Sequence, residues 1–200
     1  MVVTFDQITR HDDADPDEDV FVGGRAVATP IAVVDADPSW PAWFDELADR
    51  IRLALGGRVL EIEHIGSTSV ADLPAKPIID IDRTVDDSSD EPAYVPALER
   101  VWFVLSIREP RWYEHRCLIA TSPRANLHVW SPDSPEAIRH RMFRDWLRDH
   151  PDDRARYADT KRTSSDASNA AGEAVMAYNL RKQPVIREIL DRMFRTYGML

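Results

Sequence analysis

The spacing of apolar residues changes after residue 130, and this change most constrains the fold. Between residues 58 and 130, short segments rich in Ile, Val and Leu are separated by polar turns, a pattern typical of strands. From Pro135 onward, apolar residues recur every three or four positions, as in amphipathic helices. The sequence therefore predicts an α+β fold in which a mixed β-sheet core with helices precedes a helical C-terminal subdomain.

Individual elements can be assigned from the same pattern. Strands are predicted over residues 31–34, 58–65, 77–85, 101–107, 117–121 and 126–130. Helices are predicted over residues 37–56, over a short segment ending near Arg100, and three times after Pro135. Pro184 is expected either to kink the last helix or to begin a fourth. We expect three parts in one unit: an acidic N-terminal extension (1–30), the α/β core (31–132) and the helical subdomain (133–200).

The charge distribution limits the possible ligands. The chain has 25 basic and 35 acidic residues, a net charge of −10, which disfavours binding to duplex nucleic acid. Seven of the acids fall within residues 1–24, and the run at 11–19 is expected to be a solvated loop or flexible tail, the alternative being a metal-binding acidic arm. Residues 136–200 contain thirteen Lys and Arg against ten Asp and Glu. A small anionic ligand is therefore compatible with the C-terminal part.

Two further features concern location. No uncharged apolar stretch approaches about 18 residues, and no secretory signal pattern is present, so neither a membrane span nor secretion is expected. Cys117 is the single cysteine, which excludes an internal disulfide. A cytoplasmic protein is expected.

The strongest local signal is the segment EHIGSTSVADLPAKPIIDID, residues 63–82. Gly66 follows a predicted strand and permits close backbone approach, while Ser67 and Thr68 supply hydroxyl donors. Backbone amides that open a short helix there would point at an anion. The alternative is an ordinary turn.

Asp80 and Asp82 stand two positions apart in the following predicted strand. Side chains at i and i+2 project to the same face, so the two carboxylates can converge on one point. Their mutual repulsion would be relieved by a divalent cation, and Mg²⁺ is bound by one or two carboxylates together with substrate phosphates. The alternative is an exposed acidic face without a ligand.

Lysines and tyrosines add candidate ligand contacts. Lys76 precedes the carboxylate strand and is either a phosphate contact or an exposed loop residue. Tyr157 with Lys161, and Tyr178 with Lys182, are i,i+4 pairs that each lie on one helix face. Such pairs suit phosphate and a stacked base, whereas the alternative is inward tyrosines with lysines extending to solvent.

These motifs together resemble the GrpB family, whose fold belongs to the nucleotidyltransferase superfamily. The resemblance rests on HIGSTSV, LPAKPIIDID, NLHVW (126–130), FRDWLRDHP (143–151) and the two Tyr–Lys pairs, and it spans about residues 31–190. It implies that Gly66 and Ser67 hold a nucleotide triphosphate and that Asp80 and Asp82 bind the metal. His128 stands where the superfamily has a third carboxylate, and it is interpreted as a metal ligand or general base, or as a neutral core histidine.

Three hypotheses for function follow. The first is Mg²⁺-dependent transfer of a nucleoside monophosphate from a nucleoside triphosphate to a small acceptor, with Asp80, Asp82 and His128 as catalytic residues. The second is a nucleotide- or phospho-ligand-binding module without turnover, connected to coenzyme A metabolism, since GrpB-like domains also occur fused to dephospho-coenzyme A kinase. The third is a partner-binding protein with an exposed apolar patch. The acceptor, the base preference and the oligomeric state do not follow from the sequence.

Overall fold

The middle of the chain forms one five-stranded sheet. A computed structural model describes residues 3–12, 18–24, 29–56 and 61–200. The sheet has the spatial order β1-β2-β5-β4-β3, in which β2 and β5 are parallel and the other neighbours antiparallel. This arrangement confirms the predicted mixed sheet. The strands are β1 (Glu61–Ile65), β2 (Ile79–Thr84), β3 (Val104–Glu109), β4 (His115–Thr121) and β5 (Arg124–Trp130).

The register of the central parallel pair separates an apolar face from a polar one. Ile81 lies opposite Leu127, and both side chains are fully buried. Asp80 lies opposite Asn126, and Asp82 opposite His128. Because successive side chains alternate between faces, these four polar residues project from one side of the sheet.

Two helices cover the apolar face. They are α2 (Trp40–Leu55) and α3 (Glu91–Glu99), both at predicted positions. Leu47 and Ile51 of α2 are completely buried in a core shared with the sheet, and burying each such side chain contributes about 1.5–3 kcal/mol to stability. This core fixes β2 and so positions its polar face.

The remaining helices form a second core. They are a short N-terminal helix, α1 (Phe5–Thr9), with α4 (Pro135–Asp149), α5 (Pro151–Ala170) and α6 (Val175–Thr196). Trp146, Ile189 and Phe194 are buried there, together with Leu73 from the loop before β2. The C-terminal part is helical as predicted. α6 continues through Pro184, so a fourth helix does not begin at that proline.

Two segments differ from expectation. Residues 31–34 form no strand, because only Val34 pairs there, in an isolated bridge with Ala75. Residues 13–17 of the acidic run lie outside the described residues, but the chain before them is packed. Ile8 of α1 is buried, and the Arg139 guanidinium donates hydrogen bonds to the carbonyls of Ile8 and Arg10 at 2.9 and 2.8 Å. Among the described helices, none is long and apolar enough to cross a membrane.

Candidate functional site

The turn after β1 brings its backbone against the first carboxylate of β2. Gly66 has φ +69°, and a Cβ atom on it would lie 2.4 Å from Asp80 Oδ2. Only glycine fits both the backbone conformation and this close approach. The other carboxylate oxygen, Asp80 Oδ1, accepts a hydrogen bond from Asn126 Nδ2 at 2.8 Å. Asp80 is therefore held against the turn, as the sequence motif predicts.

The hydroxyl residues of this turn have different roles. Ser67–Ser69 is a single 3-10 turn and not the start of a longer helix. The Thr68 side chain is buried, its Oγ1 donates to the Ile78 carbonyl at 3.3 Å, and His64 Nε2 lies 3.1 Å away. Thr68 thus ties the turn to β2, and the prediction that it contacts a phosphate is not supported by this placement. Ser67 lies beside the Tyr157 phenol instead.

Three lysines surround Asp80 from three different elements. Lys76 comes from the loop before β2, Lys161 from α5 and Lys182 from α6. The negative charge of Asp80 acts on the pKa of each of them. Lys161 is only 2% exposed, and its Nζ has no hydrogen-bond partner among the described residues. We call this group the lysine cluster: Lys76, Lys161 and Lys182.

Burial and mutual repulsion make these lysines easy to deprotonate. Burial, reinforced by the charge of Lys182, lowers the pKa of Lys161 to about 6. Burial and the charge of Lys76 lower the pKa of Lys182 to about 7. Burial also lowers the pKa of Lys76, although Asp80 opposes this shift. An added anion would reverse these shifts, because an opposite charge favours the protonated form.

The two predicted tyrosines support the lysine cluster. Lys161 Nζ lies 4.6 Å from the centroid of the Tyr157 ring, whereas Lys182 Nζ and Lys76 Nζ lie 4.2 and 5.4 Å from the Tyr178 centroid. These distances are in the cation–π range. Both rings are buried, so they have no free face on which a base could stack.

The second carboxylate of β2 has a different environment. Asp82 is 4% exposed, and its Oδ1 accepts a hydrogen bond from Trp130 Nε1 at 2.9 Å. His140 Nδ1, from α4, lies 2.9 Å from Asp82 Oδ2 and 3.2 Å from Oδ1. Burial alone would lower the pKa of His140, but Asp82 raises it to about 9, so the two residues form an ion pair at neutral pH. Burial alone would raise the pKa of Asp82, yet His140 holds it below its usual value.

His128 is part of a chain of hydrogen-bonded polar side chains. Its Nδ1 lies 2.9 Å from His115 Nε2, and His115 Nδ1 lies 2.6 Å from Glu109 Oε2. Burial, followed by the charge of His115, lowers the pKa of His128 to about 4. His128 is therefore a neutral histidine at neutral pH, with one ring nitrogen hydrogen-bonded and its side chain half-buried. A base or metal-ligand role for it stays a prediction.

A magnesium ion shared by both carboxylates fits this arrangement poorly. Asp80 Oδ2 carries no hydrogen bond within the described ranges, and carboxylate oxygens suit Mg²⁺. Asp82, by contrast, already has His140 as its cation and Trp130 as a second donor. Where the chain is described, no group of three or more His, Cys, Asp or Glu side chains could hold a metal ion. The expectation of Mg²⁺ at Asp80 and Asp82 thus requires His140 to move.

Most of the predicted residues lie around Asp80, and one important residue was missed. Asp80, Gly66 and Ser67 lie with the lysine cluster and its tyrosines, although they come from segments up to 116 residues apart (66–182). His140 was not predicted. It sits in an amphipathic helix pattern without a ligand-like spacing, so only the register of α4 against β2 reveals it.

The geometry defines an α+β protein with a group of lysines beside Asp80 on the polar face of a mixed sheet. Comparison with known proteins then identifies the family: residues 30–192 match the model described as GrpB protein, and the chain belongs to the GrpB family. The UPF0157 protein BH1888 of Halalkalibacterium halodurans is 46% identical over 162 residues, covering 81% of this chain and 82% of that one.

Two other relatives extend the comparison. The crystal structure of conserved protein GrpB from Enterococcus faecalis superposes with a TM-score of 0.72 at 28% identity, covering 84% of this chain and 99% of that one. The dephospho-CoA kinase of Mycolicibacterium paratuberculosis is 30% identical over 189 residues, covering 82% of this chain but only 46% of the kinase. The described part of the N-terminal extension, before residue 25, lies outside the family match.

Proposed function

We propose that this protein binds the polyphosphate group of a nucleoside triphosphate between the Gly66 turn and the lysine cluster. In this proposal Lys161 and Lys182 contact the phosphates from the helical part, and Lys76 contacts them from the loop before β2. Ser67 donates from the turn.

The observation that carries the proposal is the state of Lys161. A buried amine without a hydrogen bond destabilises a protein, because its lost hydration is not replaced. Two further lysines close to the same carboxylate increase this cost, since like charges repel. An anionic ligand would supply the hydrogen-bond partner that Lys161 lacks and a counter-charge for the other two lysines.

The spread of the lysine cluster favours a polyphosphate over a single phosphate. Its members come from one loop and two helices, and each ammonium acts as a separate point charge. One orthophosphate ion has room for few such contacts, whereas a triphosphate extends past all three. Because both tyrosine rings are covered, the base of the nucleotide contributes little to recognition in this proposal.

Calorimetry with ATP, pyrophosphate and orthophosphate tests the proposal. We expect ATP and pyrophosphate to bind and orthophosphate to bind more weakly. Lys161→Met should weaken pyrophosphate binding about tenfold or more, the loss expected for one charge-assisted hydrogen bond. Arg156→Met is the matched control, because Arg156 lies on the same helix but is exposed and pairs with Glu188. No binding of any of these anions at millimolar concentration, or equal loss in both variants, would contradict the proposal.

A second candidate function is Mg²⁺-dependent transfer of a nucleoside monophosphate to a small acceptor. Its support is that Asp80 and Asp82 share the polar face of β2, with His128 on the adjacent strand. In this reaction the metal would neutralise charge that develops on the phosphates. Release of pyrophosphate from a nucleoside triphosphate, dependent on Mg²⁺ and abolished by Asp80→Asn, would support transfer over simple binding.

The kinase relative suggests one further ligand to include. The mycobacterial protein that this chain matches in part is named dephospho-CoA kinase, and the matched length is less than half of it. We therefore propose dephospho-coenzyme A as a competitor in the pyrophosphate titration. Displacement of pyrophosphate by dephospho-coenzyme A would show that the same site accepts coenzyme A precursors. The absence of displacement would restrict the proposal to nucleotides.

A further inference from the structure

Both oxygens of the Asp82 carboxylate already have hydrogen-bond donors from the protein itself. His140 Nδ1 is within hydrogen-bond distance of both its oxygens, at 2.9 and 3.2 Å, and Trp130 Nε1 donates to Oδ1 at 2.9 Å. With 4% exposure, Asp82 has almost no contact with water. A metal ion would therefore have to replace donors that the fold has placed there.

His140 is held in this position from its other side as well. Its Nε2 lies 3.5 Å from Glu136 Oε1, one turn earlier on α4, and Glu136 Oε2 pairs with Arg139 at 2.7 Å. Glu136 and Arg139 are both buried, and Arg139 also fixes the chain after α1. These contacts oppose withdrawal of the His140 ring from Asp82.

Asp80 contrasts with Asp82 at every point. It is half-buried, its single hydrogen bond in the described structure comes from the Asn126 amide, and its neighbouring cations are the lysine cluster. The two carboxylates of β2 thus have separate partners: an imidazole at Asp82, and the Asn126 amide with the lysine cluster at Asp80.

From this geometry we infer that His140 takes the place of a divalent cation at Asp82. The site between the Gly66 turn and the lysine cluster then binds polyphosphate without a metal. The inference rests on the proposed polyphosphate binding and specifies its charge balance: lysines neutralise the phosphates, and His140 neutralises the buried carboxylate. His140 is a positioning residue here, since it acts through Asp82 and does not touch the ligand. Removing its side chain should expose a carboxylate pair that attracts metal.

Two measurements on the intact chain test the inference. The first is pyrophosphate binding by calorimetry in EDTA and in excess Mg²⁺, where we expect binding in EDTA that added Mg²⁺ does not strengthen. The second is Mn²⁺ binding by electron paramagnetic resonance without any anion. The wild-type protein should bind Mn²⁺ weakly, and His140→Ala should bind it about tenfold or more tightly, a change of the size that residues adjacent to metal ligands produce.

Control variants keep the Mn²⁺ result interpretable. His11→Ala removes another His–Asp pair, whose Nε2–Oδ1 distance to Asp191 of α6 is 2.8 Å and which includes neither carboxylate of β2, and it should leave Mn²⁺ binding unchanged. His140→Gln keeps a neutral side-chain donor and should gain less Mn²⁺ affinity than His140→Ala. If His140→Ala does not fold, the pyrophosphate and Mn²⁺ measurements on the wild-type protein still test the inference.

The outcomes separate this inference from the proposed function. Pyrophosphate binding only in the presence of Mg²⁺, or tight Mn²⁺ binding by the wild-type protein, would overturn the inference and leave polyphosphate binding intact. Absence of pyrophosphate binding under both conditions would overturn both. Binding in EDTA, together with new Mn²⁺ affinity in His140→Ala, would support both.

Discussion

At the scale of single residues, Lys161 shows a conflict between stability and ligand binding. Its amine is buried beside Lys182 without a hydrogen bond, and burial and repulsion hold its pKa near 6. In the unfolded chain the lysine amine has a pKa of about 10.4, so folding releases a proton from it at neutral pH. The residue therefore reduces the stability of the ligand-free protein.

We predict that Lys161→Met stabilises the protein while it weakens anion binding. The thioether chain fills a similar volume without an unsatisfied amine, so the free energy of unfolding at neutral pH should rise by about 1–3 kcal/mol. Urea denaturation of Lys161→Met and the control Arg156→Met measures this change. A destabilised Lys161→Met variant would mean that the amine has a partner in the free protein.

The sequence predicted this cluster only in part. Spacing alone put Lys161 and Lys182 on helix faces beside Tyr157 and Tyr178, but it left open whether the lysines extend to solvent. Their burial results from the way α5, α6 and the loop before β2 come together, which no local pattern encodes. The alternation of side chains along a strand predicted the face from which Asp80 projects. The pairing of Asp82 with His140, in contrast, depends on contact between elements distant in the sequence.

At the scale of elements, the turn between β1 and β2 depends on Gly66. Its positive φ and the approach of Asp80 Oδ2 within 2.4 Å of a would-be Cβ are two separate constraints. Helices and strands with strong periodicity, such as α2 and β2, were predicted close to their observed bounds. Residues 31–34 were wrongly predicted as a strand because apolar character alone does not provide a pairing partner.

We predict that Gly66→Ala lowers both stability and pyrophosphate affinity. The positive φ costs about 1 kcal/mol for a residue with a Cβ, and displacement of Asp80 adds a further loss. Gly172→Ala is the matched control, because Gly172 has φ +64° but faces open space. Thermal denaturation and calorimetry compare the two variants. Equal stability and unchanged pyrophosphate affinity in both would contradict the proposed contact between turn and carboxylate.

At the scale of the whole molecule, two hydrophobic cores carry the residues of the proposed site. One core joins the sheet to α2 and α3, and the other joins α4, α5 and α6 to α1. The first positions Asp80, and the second carries Lys161 and Lys182, so a ligand between them would connect both cores. Since binding to the folded state alone raises apparent stability, the melting temperature should increase with ligand concentration.

Proton uptake on binding tests the central claim, which is that buried, readily deprotonated lysines form a polyanion site. The lysine pKa values of about 6 and 7 should rise when an anion is bound, so binding takes up protons and affinity falls as the pH increases through this range. Calorimetry of ATP binding in two buffers of different ionisation enthalpy, in EDTA at about pH 8, measures this uptake directly. We predict uptake of about one to two protons per ATP, reduced in Lys161→Met and Lys182→Met. ATP binding without proton uptake, or uptake that persists unchanged in both variants, would contradict the account.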